Sequence, residues 1–295
     1  MHIGVVLPQR TDWKDARDAA LHAEELGCDS IWVVDHLLST QPDRGILEGW
    51  TLMSALAATT ERVEIGAQVL CQSFRSPGLL AKMATTLDRV SGGRLRFMIG
   101  AGWYEGEYTA FGYDFPSPGV RIDELTDAVL ILKGLLAGPD PFTYEGKHHV
   151  VHEAINAPPP IRAPLPIEIG GIGDRLLRLV AKHGDGWNCP GTFLSRLEER
   201  LQFLSKACEE SGRRLSDLRI TVQIACAIDE PDLAQHPVVQ IFGGDDALVG
   251  SISDVVDKLG RYRDVGVEGV HVVLPPGDGG ARSLDRLVGD VAPQL

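Results

Sequence analysis

The stretch RLRFMIGAGWYEGEYTAFG, Arg94–Gly112, decides how the chain reads. It opens on an apolar run from Leu95 to Ile99 and breaks into Gly100-Ala101-Gly102-Trp103. A polar, aromatic segment with Glu105, Glu107 and Tyr108 follows. A buried strand that runs straight into glycines lets its backbone come close to something flat or anionic. The turn Ser91-Gly92-Gly93 before it closes a helix expected over Gly78–Val90, so the unit reads helix, turn, strand.

Working outward, the same alternation recurs. His2–Leu7, Asp29–Val34 and Arg62–Leu70 are apolar, β-branched strand candidates. The helices expected between them cover Asp12–Leu26, closed by Gly27, and Gly49–Thr60. Beyond the opening stretch come a helix over Gly119–Ala137, a hairpin around Gly146 within Pro139–Glu153, and a proline-rich linker, Pro158 to Pro166. Strands at Pro166–Ile169, Asp185–Asn188, Leu218–Ile228 and Gly269–Leu274 complete the series. Helices over Asp174–His183, Leu194–Ser211, Ser251–Val265 and Ser283–Val288 accompany them. Strands alternating with crossover helices imply parallel pairing, and near-continuous apolar strands imply burial on both faces. Eight such units predict an α/β fold, a (β/α)8 TIM barrel, as one domain over 1–295 with an inserted segment at about 104–165. A doubly wound sheet is the alternative. It would call for a GxGxxG with an acidic partner at dinucleotide spacing, and the chain has none.

Composition narrows the class. The 295 residues carry 41 acidic against 28 basic side chains, a net charge of −13. That balance argues against nucleic acid and anionic membrane surfaces as partners. The five cysteines (28, 71, 189, 208, 226) are scattered and contain no CxxC. They read as reduced thiols of a cytoplasmic protein. MHIGVVLPQR lacks the basic and long apolar regions of a signal peptide, and no apolar run reaches the ~20 residues that span a bilayer.

In such a barrel, chemistry sits on the loops after the strands. These hold Gln9 and Arg10, then Asp35 and His36, Gln68 to Arg75, Gly100 to Tyr108, Gly170-Gly171-Ile172-Gly173-Asp174, and Trp187 to Gly191. The set is rich in glycine, aromatics and amides and poor in metal ligands, so no metal is expected. Gly170–Gly173 opens a helix directly after a strand, where free N–H groups favour a phosphate. It would serve equally as a plain tight turn. His36 follows an apolar strand and is the side chain suited to moving a proton near neutral pH. Glu105 and Glu107 read first as charges stabilised by a helix N-terminus.

Taken together, Asp35-His36, Phe74–Lys82, Ser91–Arg94, Gly100-Ala101-Gly102-Trp103, Ile169-Gly170-Gly171 and Asp185–Asn188 make the chain resemble the bacterial luciferase-like monooxygenase superfamily. Within it, the chain looks like the branch of oxidoreductases that uses the deazaflavin coenzyme F420. The resemblance covers the whole chain. It implies a cofactor ring at the carboxyl ends of the strands, a usually dimeric assembly, and a non-prolyl cis peptide late in strand three, which aligns with Gln68–Val69. It carries cofactor contacts over to Asp35, Gln68, Val69, Gly100, Ala101, Gly102, Trp103, Gly170, Gly171, Ile172 and Gly173. It also makes His36 the proton-handling catalytic residue. Trp13, Trp50 and Tyr108 are candidates for an apolar substrate wall. Sugar-phosphate dehydrogenases of this kind place a glutamate proton donor just after the glycines, where this chain has Trp103, and the chain shows no basic cluster for a sugar phosphate. Glucose 6-phosphate is therefore disfavoured as its substrate. The leading expectation is an F420-dependent oxidoreductase transferring hydride to or from a small organic molecule, with a separate enzyme reducing the cofactor. The alternatives are a two-component monooxygenase using FMN and a flavin- or F420-binding protein without turnover. The segments 38–48, 104–118 and 139–157 are expected to choose the substrate.

Overall fold

The computed structural model describes residues 1–9, 12–39 and 45–295. Arg10 and part of the 38–48 loop lie outside these residues. The chain begins with strand β1, His2–Val6, and helix α1, Trp13–Leu26; β2, Ser30–Val33, and α2, Gly49–Ala57, follow. Next come β3, Glu64–Ala67, a short continuation β4, Leu70–Cys71, helix α3, Pro77–Val90, and β5, Leu95–Gly100. Helices α4, Glu105–Phe111, and α5, Pro118–Leu135, precede a hairpin of β6, Phe142–Glu145, and β7, Val150–Ala154. The second half runs β8, Ile167–Gly170; α6, Asp174–His183; β9, Gly186–Cys189; α7, Leu197–Glu210; and β10, Arg219–Ile228. It ends with α8, Pro237–Ile241; β11, Leu248–Gly250; α9, Ile252–Asp264; β12, Gly269–Val273; and α10, Asp278–Arg286.

Strands β12, β1, β2, β3, β5, β8, β9 and β10 pair in that order, all in parallel, and β10 pairs with β12 to close the ring. The result is the expected eight-stranded α/β barrel, which abolishes sheet edges. The hairpin pairs only with itself. Helix α4 begins at Glu105, in keeping with the reading of Glu105 and Glu107 as charges at a helix N-terminus, while two short elements were not anticipated: α8, and β11, which adds to the outer end of β10. The last helix starts earlier than expected, at Asp278, and runs on into a wider turn at Leu287–Val291.

Local chemistry accounts for the element ends. Asp12 caps α1 by accepting the Asp15 N–H, and Gly27 closes it in the left-handed conformation at φ 93°. Ser251 and Asp254 form a reciprocal capping box on α9. Strand side chains alternate between two environments. Ile3, Val5, Ile31, Val33, Ile65, Leu95, Phe97, Ile99, Ile167 and Ile169 belong to the main apolar core with Leu80, Leu125, Val129, Leu177 and Leu204 of the helices. The alternate positions reach across the barrel interior. Trp32 of β2 stacks on His271 of β12 at 4.1 Å, and Gln68 reaches Asn188 of β9. Both faces of the strands are buried, as expected, but the inner one is polar.

Candidate functional site at the carboxyl end of the barrel

The third strand sets the floor of the site. The Gln68–Val69 peptide is cis, as the resemblance implied, and the chain then resumes pairing with β5 through Leu70 and Cys71. The Val69 side chain fills the space that a side chain at the ends of β5 and β8 would need. A Cβ at Gly100 would stand 2.7 Å from Val69 Cγ2, and one at Gly170 would stand 2.6 Å from Val69 Cγ1. These two glycines are therefore required by the valine that lies over them. Beside it, Gln68 Nε2 donates to Asn188 Oδ1 at 3.1 Å, and Asn188 Nδ2 donates to Thr221 Oγ1 at 2.9 Å. That leaves Gln68 Oε1 buried with no partner among the described residues. A buried acceptor awaiting a donor is a costly arrangement unless a ligand or water completes it.

Asp35 has its hands full within the protein. It accepts from Arg75 through both oxygens, at 2.8 and 3.0 Å, and from the Cys71 N–H at 2.8 Å. Arg75 also donates to Glu48 at 2.6 Å and lies over the Trp50 ring. Burial pushes the Asp35 carboxyl above its ordinary range, while Arg75 and the Cys71 N–H pull it back. The group thus ties the end of β2 to the continuation of β3. Gln9 does similar work next door, bridging Val34 and the Leu47 carbonyl.

His36 stands at this rim with a side chain 21 % exposed, and its Nδ1 lies 3.0 Å from both oxygens of the buried Glu107. Glu107 Oε2 also accepts the Leu37 N–H at 2.9 Å. The rings of Trp103 and Tyr104 stack on each other and turn toward His36, 5.7 and 6.5 Å away. Glu107 is the residue that sequence reasoning undervalued: it read as a helix-terminal charge, and it sits in the first turn of α4, but its partner is 71 positions away.

Gly102 adopts φ 74°, and a Cβ there would stand 1.9 Å from the Tyr108 hydroxyl. That hydroxyl contacts Cys71 Sγ at 2.9 Å and donates to Ser73 Oγ at 3.0 Å. Burial pushes the Tyr108 phenol well up and the Cys71 thiol to about 11. Tyr108 is fully buried against Phe74, Tyr113 and Phe115, so it supports the rim from behind. Of the residues expected in an apolar substrate wall, Tyr108 and Trp50 are buried and Trp13 is exposed at the start of α1; Trp103 is 65 % exposed. Ala101 is half-buried next to the glycines.

After β8, Gly171 takes φ 139° and its carbonyl accepts the Trp187 Nε1–H at 2.7 Å. Ile172 leads to Gly173, the N-cap of α6, which supplies no side-chain cap. The first N–H groups of α6 thus have no side-chain cap, the arrangement that suits a phosphate. Among the described residues, no group of three or more His, Cys, Asp or Glu could hold a metal ion. Nor is any helix of these residues long and apolar enough to cross a membrane.

The carboxyl end of the closed parallel barrel thus carries Val69 after the cis peptide, the facing glycines Gly100 and Gly170, the unpaired buried Gln68 Oε1 and His36. The comparisons give the chain its family. Residues 1–244 match the model of the luciferase-like monooxygenase family, and the chain belongs to that family. It is 32% identical over 220 residues to an F420-dependent glucose-6-phosphate dehydrogenase of Kineococcus radiotolerans. That match covers 72% of this chain and 64% of the relative, so the chain spans just under two thirds of the relative's length. Among solved structures it resembles an F420-dependent secondary alcohol dehydrogenase in complex with an F420-acetone adduct (TM-score 0.86, 21% identity, 99% and 98% of the two chains). It also resembles the monooxygenase RslO1 of Streptomyces bottropensis (TM-score 0.81, 20% identity, 99% of each chain). At these identities the two structures speak for the fold.

Proposed function

We propose that the protein is an F420-dependent oxidoreductase that exchanges hydride between the deazaflavin and a small organic substrate. The observation that carries this reading is the Val69 floor between Gly100 and Gly170, with the buried Gln68 Oε1 left unpaired beside it. A flat heteroaromatic ring bearing N–H groups fits both features. Gln68, Val69, Gly100, Ala101 and Gly102 would hold the ring, and Gly170–Gly173 with the N-terminus of α6 would hold its phosphate. Asp35 contributes by fixing the Cys71 backbone and Arg75. A bound deazaflavin supplies the two-electron hydride chemistry, and the protein orients the ring and excludes water. His36 takes up or delivers the accompanying proton, held by Glu107. Trp103 and Tyr104 form the apolar side of the substrate space, which suits an uncharged carbonyl or alcohol better than a sugar phosphate.

This reading takes residues 1–295 as one domain with the 104–165 segment inserted. It includes a homodimer and a separate enzyme that reduces F420. A cytoplasmic setting is supported by five buried free cysteines. The test is to mix reduced F420 with ketones, aldehydes, enones and imines and follow the return of oxidised-cofactor absorbance. Turnover of at least one class is expected. A second reading, an FMN monooxygenase, is favoured by Trp103 standing where an acid would serve dehydrogenation. Substrate-dependent oxygen uptake with reduced FMN, and none of the F420 reaction, would establish it instead.

A further inference from the structure

His36 alone leaves a choice open: either ring nitrogen of a neutral imidazole can bear the proton, and only the bare one accepts another. We propose that Glu107 is the positioning residue that makes this choice, placing the proton on Nδ1 and leaving Nε2 as the acceptor at the barrel mouth. The inference rests on the reading of His36 as the proton-handling residue and adds what controls it.

The geometry is specific. Glu107 has a side chain 3 % exposed, and the backbone of the chain after His36 donates to it. Oε2 accepts the Leu37 N–H at 2.9 Å and lies 3.5 Å from the Leu38 N. Both oxygens lie 3.0 Å from His36 Nδ1. A carboxylate accepts and cannot donate, so the attractive arrangement puts a hydrogen on Nδ1. Nε2 has no hydrogen-bond partner among the described residues. The residues leading into the same short helix, Trp103 and Tyr104, stand edge-on to the imidazole. Gly102 at φ 74° and the left-handed cap Gly112 at φ 76° bound this unit, so the aromatic rim and the histidine clamp arrive together on α4.

The experiment reads the tautomer directly in the cofactor-free protein. Ring nitrogens of ¹⁵N-histidine-labelled protein are observed by NMR at a pH where the ring is neutral, with His36 assigned by loss of its signals in His36→Gln. The wild type is expected to show Nδ1–H and bare Nε2. In Glu107→Gln the single amide oxygen stays with the Leu37 and Leu38 N–H groups. The amide NH2 then faces Nδ1, makes it an acceptor, and inverts the tautomer to Nε2–H. Glu107→Asp keeps an acceptor and is expected to keep the wild-type pattern. Glu107→Ala removes the bias and gives a mixture, and it serves if the glutamine variant does not fold. Folded Glu107→Gln or Glu107→Ala protein that retains the wild-type tautomer overturns the proposal. Hydride-transfer turnover with F420 is the separate arm. Inversion should lower it on the order of 10²-fold while F420 affinity stays unchanged. Tautomer inversion in a protein whose wild type turns over no F420 substrate would leave the role of Glu107 standing and remove the functional reading.

Discussion

The two ends of the barrel interior are built from the same strands and could hardly differ more. At the amino end, Arg96 donates to Glu168 at 2.8 Å and to Glu64 at 2.9 Å, all three sharing one layer with His2 and Arg219. At the carboxyl end the same strands present Gly100, Gly170 and Gln68 around Val69. Inward-facing positions recur every second residue, so β5 steps from Arg96 through Met98 to Gly100, and β8 steps from Glu168 to Gly170. Charge staples one end, and absent side chains make room at the other. The lesson is that stability and ligand space are separated by only a few residues along each strand, consistent with the division of labour in such barrels.

The contrast breaks most visibly at Arg96. Replacing it in Arg96→Met strands the buried Glu168 and the neighbouring Glu64, with an expected loss of about 3–5 kcal/mol of stability in urea unfolding. Folded protein should bind F420 as before. A loss below about 1 kcal/mol would show that the amino end is not stapled by charge.

The carboxyl end should respond in the opposite sense. Gly100→Ala drives a methyl into Val69, costing about 1–3 kcal/mol and most of the F420 affinity. Adding Val69→Ala relieves the clash and is expected to recover stability but not affinity. Stability losses that simply add in the double variant would mean that the two residues do not compete for space.

Acid sharpens the comparison further. Burial holds His2 neutral, with its titration pushed down to about 3, and lowers His271 well below its ordinary value. An unfolded chain protonates both near pH ~6.5. The stability they contribute is therefore complete above that pH and drains as pH falls toward 3, by up to ~1.4 kcal/mol per unit for each. Thermal melts at pH 7 and 5 should show the drop, with a shallower slope in His2→Asn. An identical slope in that variant would remove His2 from the explanation.

The smallest effect is expected behind the rim. Tyr108→Phe deletes the contacts to Cys71 and Ser73, a cost of about 1 kcal/mol, with little change in F420 binding because the ring stays buried. A large affinity loss would place the phenol in the ligand site after all.

Much of this molecule was legible before any coordinates. Most of the strands announce themselves as apolar runs ending in glycine, polar pairs or proline, and His36 stands out by following one of them. The cis Gln68–Val69 bond came from the resemblance alone. What stayed hidden depends on contacts distant in sequence. Glu107 looks like any carboxylate in a first helical turn until β2 delivers His36 beside it. Arg96 and Glu168 are single charges inside apolar runs, and nothing local reveals that they face each other inside the barrel. Tyr108 has the composition of a pocket wall, yet the left-handed turn at Gly102 puts its hydroxyl into the core. Helix α8 and strand β11 are too short for periodicity to register.

The central claim is that the carboxyl end of this barrel takes a deazaflavin ring on Val69. Equilibrium titration of the cofactor-free protein with F420, and separately with FMN, followed by cofactor fluorescence, tests it most directly. The expected result is saturable F420 binding that Gly100→Ala weakens, with FMN binding much more weakly. Saturable FMN binding with none of F420, or F420 binding indifferent to Gly100→Ala, would contradict it.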